Sequence, residues 1–202
     1  MKIHKLILLM ALSMMALFSA ACDDVATPID DNTIQLTQTE TIQIDEFGLS
    51  VSVSYPSGWF INNESGAIML ANSEEALAIS DFSSSEFPTG SAVMTITVIP
   101  PEMGGVMGIE EGASSVDILT VFTQFMSGDG MPAFSDIEEV TINDATIAHT
   151  TGSDEDVSAT IYALATESSY LMGFGATRAD EAGSESDTFE AIIASTVVNA
   201  GE

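Results

Sequence analysis

Leu49, Val51, Val53 and Tyr55 alternate with Ser50, Ser52 and Ser54, and Pro56-Ser57-Gly58-Trp59 follows at once. A period of two puts one face of a strand on a core and the other on water. Proline has no amide to give a ladder, and glycine lets the chain turn sharply, so the strand ends there. Trp59 is the single tryptophan, placed just past the corner, where a large ring can close one end of a core. A second apolar run, residues 67–71, comes after the polar residues 62–66. The stretch reads as strand, corner, tryptophan, strand, and the other elements must be laid against it.

The flanking chain supplies such elements. Residues 41–46 alternate Ile42 and Ile44 and predict a strand, with Phe47-Gly48 as a turn into the next. Ser73 is placed to cap one helical turn carrying Glu74 and Glu75 near its positive end. Residues 91–99 predict a strand with Met94, Ile96 and Val98 on one face, ended by Pro100-Pro101. Residues 102–113 read as a glycine-rich loop. Residues 115–126 predict a helix with Val116, Leu119, Phe122 and Met126 on one stripe, and Ser114 with Asp117 fits a cap motif. Residues 137–142 predict a strand, Asn143-Asp144 a tight turn, residues 145–151 the next strand and residues 152–156 an acidic turn. Residues 157–166 and 168–177 form a hairpin across Glu167. Asp187 is read as the cap of a final helix carrying Phe189, Ile192 and Ile193, with Glu190 closing the capping box. Many strands and few helices predict an α+β domain with a largely antiparallel sheet.

The N-terminus carries an address. Lys2, His4 and Lys5 precede an apolar run, residues 6–21, that ends in small residues. That is the pattern of a secretory signal, and the run is shorter than the ~20 residues a spanning helix needs. Its end, Ser19-Ala20-Ala21-Cys22, resembles a bacterial lipoprotein signal, in which the cysteine becomes the lipidated first residue; Ser19 departs from the aliphatic residue usual there. Residues 1–21 are thus expected to be a signal peptide and Cys22 a lipidation site that holds the chain at a membrane. Residues 22–40, polar and acidic with Pro28, are expected to be a flexible tether, which at this length averages on the order of 25 Å. Residues 41–198 are expected to form one domain, with 199–202 as a tail. Asp23 after the cysteine reads, in some sorting systems, as retention on the outer side of the cytoplasmic membrane, with the outer membrane as the alternative.

Charge removes whole classes of function. The formal net charge is −28 over 202 residues, and loss of the signal removes both lysines. Arg178 is then the single Lys or Arg against 31 Asp and Glu. Such a field repels nucleic acid, which requires basic patches. It suits a basic partner, a salt-adapted setting or divalent cations. It also strains the compact state by self-repulsion, so added salt is expected to raise the melting temperature; a midpoint unmoved between low and high sodium chloride would contradict this.

With its strand, corner and helices in this order, the chain resembles PsbP-like domains, the Mog1/PsbP fold. The resemblance rests on Tyr55-Pro56-x-Gly58-Trp59 and on the succession of middle helix, strand, turn, meander and C-terminal helix across residues 41–198. It implies a curved, largely antiparallel sheet flanked by helices, an α/β/α sandwich. It also implies an accessory or docking role, as in photosystem II extrinsic proteins, a nuclear transport factor that binds a small GTPase, and bacterial lipoproteins. The plant extrinsic proteins dock through lysine-rich surfaces; with no lysine in its mature part, this chain does not inherit that partner.

Catalytic residues are scarce. His149 is the only histidine beyond the signal and sits on a predicted strand between Ala148 and Thr150, where a structural role is expected. The mature chain has no cysteine nucleophile beyond Cys22, no lysine, no nucleophile elbow, no phosphate loop and no zinc helix. A non-enzyme is expected, with no cofactor. Calcium is the one metal considered, since it takes carboxylate and carbonyl oxygens. Asp154, Glu155 and Asp156 are its candidate ligands, although Ser158, Ala159 and Ala165 break the EF-hand pattern. Asp129 with Asp136 is a second candidate. Met103, Met107, Met126 and Met131 are weighed as copper(I) thioethers and preferred as apolar contacts, with Met103, Val106 and Met107 forming a protein-contact patch if exposed together. The expected function is a lipid-anchored, extracytoplasmic, non-catalytic domain that binds or stabilises a membrane-associated protein. The alternative is a lipoprotein that binds a cation or small solute with its acidic surface or a groove.

Overall fold

The corner forms as the sequence requires: Gly58 adopts φ +86°, and the Trp59 amide closes the turn onto the Pro56 carbonyl at 3.3 Å. This computed structural model describes residues 34–63, 67–79, 87–126 and 133–200, all within one unit, residues 34–202. The signal segment, Cys22, Asp129 and Met131 lie outside the described residues. In chain order the elements are β1 (Leu36–Ile44), β2 (Leu49–Pro56), β3 (Phe60–Asn62), β4 (Ile68–Ala71), α1 (Glu74–Leu77), β5 (Ala92–Ile99), α2 (Pro101–Met107) and α3 (Ser115–Met126). There follow β6 (Glu138–Ile142), β7 (Ala145–Ser153), β8 (Val157–Ala165), β9 (Tyr170–Arg178), a 3₁₀ turn (Ala179–Glu181), α4 (Ser186–Ser195) and β10 (Val197–Ala200).

Two antiparallel sheets result. The larger runs β3-β4-β5-β9-β8-β7-β6, and the smaller runs β1-β2-β10. Val51, Val53 and Tyr55 of β2 turn inward onto the large sheet, meeting Leu70, Met94, Ile96, Tyr162 and Leu171 in one buried cluster with Phe189, Ile192 and Ile193 of α4. The opposite face of the large sheet carries a second cluster, in which Ile118 and Leu119 of α3 cover Ala148, Ile161 and Ala163. The α+β class and antiparallel pairing read from the sequence are therefore observed. One outer layer is α4 together with the small sheet, and the other is α2 with α3. The middle strands β8 and β9 are buried on both faces over most of their length.

Local chemistry explains the helices. Asp117 and Ser114 form the expected box: the Asp117 amide donates to Ser114 Oγ at 3.2 Å and the Ser114 amide to Asp117 Oδ2 at 3.0 Å. These bonds hold the exposed Asp117 carboxyl below its usual range. Ser115 then ties α3 to the sheet, donating to the Thr146 carbonyl at 2.7 Å and accepting from the Ala165 amide at 3.1 Å. The Ala76 amide donates to Ser73 Oγ at 3.0 Å, as the cap reading requires.

Three segments differ from the sequence expectations. Strand β1 begins at Leu36, inside the stretch expected to be tether. Its outer half buries almost nothing and pairs through hydroxyls, Thr39 with Ser54 at 2.9 Å and Thr41 with Ser52 at 2.8 Å, so it carries no apolar period to read. Likewise Asn199 and Ala200, expected to be tail, pair with Ser50 and Leu49. The glycine-rich loop contains α2: Pro101 occupies its first turn, Gly108 ends it with φ +87°, and Gly104 lies against the Tyr170 ring, where a Cβ would collide. Close packing selects glycine there despite its low helix propensity.

Candidate functional site

The apolar surface is built from α3 and the strands beneath it. Helix α3 covers β7 and β8 but stops short of β5. Phe122 and Met126 on its flank, with Thr95, Thr97, Met172 and Phe174 on the strands, line an open groove of about 230 Å³. Beside it Phe125 is 68% exposed. On α2, Val106 is 89% and Met103 46% exposed, whereas Met107 packs partly into the core. The anticipated trio is therefore split, and Met126, weighed as a metal ligand, lines the groove instead. What this surface offers chemically is unspent apolar area in an acidic molecule; it holds no group that could act as acid, base or nucleophile.

The one cluster of interacting titratable groups lies on the other face of the sheet. Strand register sets His149 opposite Glu138 on β6 and opposite Tyr162 on β8. Helix α4 lowers Glu190 onto the same point. His149 Nδ1 lies 3.4 Å from Glu190 Oε1, and Nε2 lies 3.8 Å from Glu138 Oε2. The imidazole stacks on Tyr162 at 6.0 Å, and Phe189 meets both Tyr162 and Trp59 edge-on, at 6.3 Å and 6.1 Å. Burial raises the Glu190 carboxyl above its usual range; His149 opposes the shift and Asp187 adds to it. Burial, then the Glu190 charge, pushes the Tyr162 phenol far up. The Thr160 hydroxyl works against that shift, yet it is engaged with Thr151 at 3.1 Å, and Tyr162 Oη has no hydrogen-bond partner among the described residues. Leaving a buried hydroxyl unpaired is costly, so Tyr162→Phe is expected to leave stability unchanged or raise it by about 1 kcal/mol, read by urea unfolding.

The capping box expected for α4 does not form. The helix is preceded by Glu185, which makes no side-chain cap bond, and Asp187 lies inside the first turn. Glu190 sits on the helix face that carries Phe189 and Ile193, so the core claims it before the cap can. A Ser/Asp-x-x-Glu pattern looks the same in sequence whichever way that glutamate turns.

Asp154, Glu155 and Asp156 fall in the turn between β7 and β8. Asp154 Oδ1 accepts from the Asp156 and Val157 amides, both at 2.8 Å, and these bonds hold its carboxyl below the usual range. Among the described residues no three His, Cys, Asp or Glu side chains come together as a metal-holding group. Arg178 lies on the exposed surface with Asp180, Nε to Oδ1 at 2.9 Å. No helix among the described residues is long and apolar enough to cross a membrane.

No protein-family model matches the sequence. No curated protein matches it either. Among solved structures the chain is similar to cyanobacterial PsbP (CyanoP) from Synechocystis sp. PCC 6803, at 12% identity and a TM-score of 0.44, over 82% of this chain and 95% of that one. It is also similar to a crystal structure from Bacteroides thetaiotaomicron VPI-5482, at 14% identity and a TM-score of 0.40, over 74% of this chain and 45% of that one. The first likeness names the same fold as the sequence resemblance; at these values no activity or partner rests on either.

Proposed function

We propose that this chain is a non-catalytic domain, lipid-anchored through Cys22 outside the cytoplasm, that docks a membrane-associated protein through the α3 groove. The observation that carries the reading is the open groove flanked by exposed Phe125. Large apolar side chains left on the surface of an otherwise acidic molecule are the usual mark of an interface core. The charge commits the partner's chemistry: with 31 acidic residues and Arg178 already held by Asp180, the docking face must be basic. The polar cluster at His149 has no nucleophile beside it, which supports a binding role over a catalytic one.

Affinity capture from solubilised native membranes tests this, using the wild-type chain, Cys22→Ser and Phe125→Ser. Phe125 is largely exposed, so its substitution should shift stability by no more than about 0.5 kcal/mol. The wild type is expected to retain a defined set of basic-faced proteins, and Phe125→Ser to lose them at least about tenfold at an unchanged melting temperature, which corresponds to ~1.4 kcal/mol of binding. Equal capture by Phe125→Ser would move the interface elsewhere. An empty capture with stoichiometric calcium uptake in calorimetry would replace this reading by a cation-binding one.

A further inference from the structure

Helix α4 is the only helix that touches both sheets, and one histidine stands at its seat. The helix packs on β2 of the small sheet and on β6, β7, β8 and β9 of the large one. Its end is pinned to β2 by Ser195 Oγ, which donates to the Ser54 carbonyl at 3.3 Å, and after Thr196 the chain becomes β10. In this seat Glu190 is buried with a side chain only 12% exposed, and His149 is the single potential cation facing it. The groups that face His149 are Glu138 from β6, Glu190 from α4 and Tyr162 from β8, with Asp187 of α4 acting on Glu190 and Tyr162. All of them are acidic or neutral. Arg178, the other cation of the domain, is engaged with Asp180.

We propose that His149 is a proton-operated latch that fastens α4, and through it the small sheet, to the large sheet. An imidazolium donates from both ring nitrogens and so serves Glu190 through Nδ1 and Glu138 through Nε2 at once. A neutral imidazole keeps one donor and no charge. Glu190 then remains as a buried carboxylate with no cation, beside Asp187 and a phenol already lacking a partner. Imidazole is the side chain that changes charge between about pH 5 and 8. The raised Glu190 carboxyl acts in the same direction: its contribution to stability is present at low pH and is lost as pH rises through its folded-state value. The latch is therefore closed in mildly acidic surroundings and loosened in alkaline ones, whichever partner the other face binds.

Trp59 supplies the reporter, because it is the only tryptophan and lies edge-on to Phe189, the residue before Glu190. The test follows Trp59 emission and urea unfolding of the full chain carrying Cys22→Ser, from pH 5.5 to 8.5. About 1 M sodium chloride, where the screening length is about 3 Å, suppresses the repulsion of the separated acids. The expected result is a red shift of emission and a roughly tenfold loss in the folding equilibrium constant as pH rises, equivalent to one pKa unit of linkage. His149→Gln and Glu190→Gln should both abolish the step, and Glu190→Gln should be the more stable chain at pH 8.5. A wild type with no step, or a step of full size in either variant, overturns the latch. If His149→Gln fails to fold, Glu190→Gln, which keeps the side-chain volume, decides alone.

Discussion

Replacing Phe189 by alanine is expected to cost about 3–5 kcal/mol, read as the change in urea-unfolding free energy. The ring is 3% exposed and lies where Trp59, Tyr162 and β9 converge. Its removal takes away two edge-on aromatic contacts and leaves a void under α4 that neighbouring side chains can fill only by abandoning β2. A domain of this size has on the order of 5–15 kcal/mol of total stability, so the variant should be marginal at 37 °C. Phe125→Ser on α3 is the natural control, since it deletes a ring of the same kind from an exposed position and should be nearly silent. A loss below about 1 kcal/mol for Phe189→Ala would mean that α4 is not the element that unites the two sheets.

Gly175→Val is expected to be comparably damaging for the opposite reason. A Cβ at Gly175 would stand 2.7 Å from Phe189 Cδ2 and 2.8 Å from Cε2, closer than real Cβ atoms come, and valine adds two further carbons. Gly173 has the same relation to Ile193, at 2.6 Å from Cδ1. These two glycines let the helix lie directly on β9. Overpacking of this kind costs about 1–3 kcal/mol, and more where backbone must shift. Because the clash is with one named ring, Gly175→Ala combined with Phe189→Leu should recover part of the loss of Gly175→Ala alone. Strict additivity of the two single changes would show that the strain lies elsewhere.

Elements with a strong period were legible from the residues. Strands β2 and β5 and helix α3 stand where alternation or a 3.6-residue stripe put them, since each has one face on a core and one toward water. Strand β1 was half-hidden because its outer part is an edge whose partners are serine hydroxyls. Helix α2 was hidden because the glycine that permits its contact with Tyr170 is also the residue that most disfavours a helix. The polar cluster was the least legible. His149, Tyr162 and Glu190 are spread over 41 positions, and only the register of β7 with β8 and the roll of α4 bring them together. The α3 groove was invisible for a related reason: Thr95, Phe122 and Phe174 each look like ordinary core or strand residues, and what sets them apart is that no described element covers them.

The placement of the two chain ends has a mechanical consequence. Strand β2 is flanked by β1 and β10, with Leu36 beside Pro56 at one end of the small sheet and Ala200 beside Leu49 at the other. Hydrogen bonds between antiparallel strands lie perpendicular to them. A pull on the segment before Leu36, resisted at Ala200, therefore runs along the strands and loads the pairs together in shear, so that they share the force rather than opening one after another. A domain held by its N-terminal segment and tugged by what it binds would meet tension in the direction in which its smaller sheet is hardest to break.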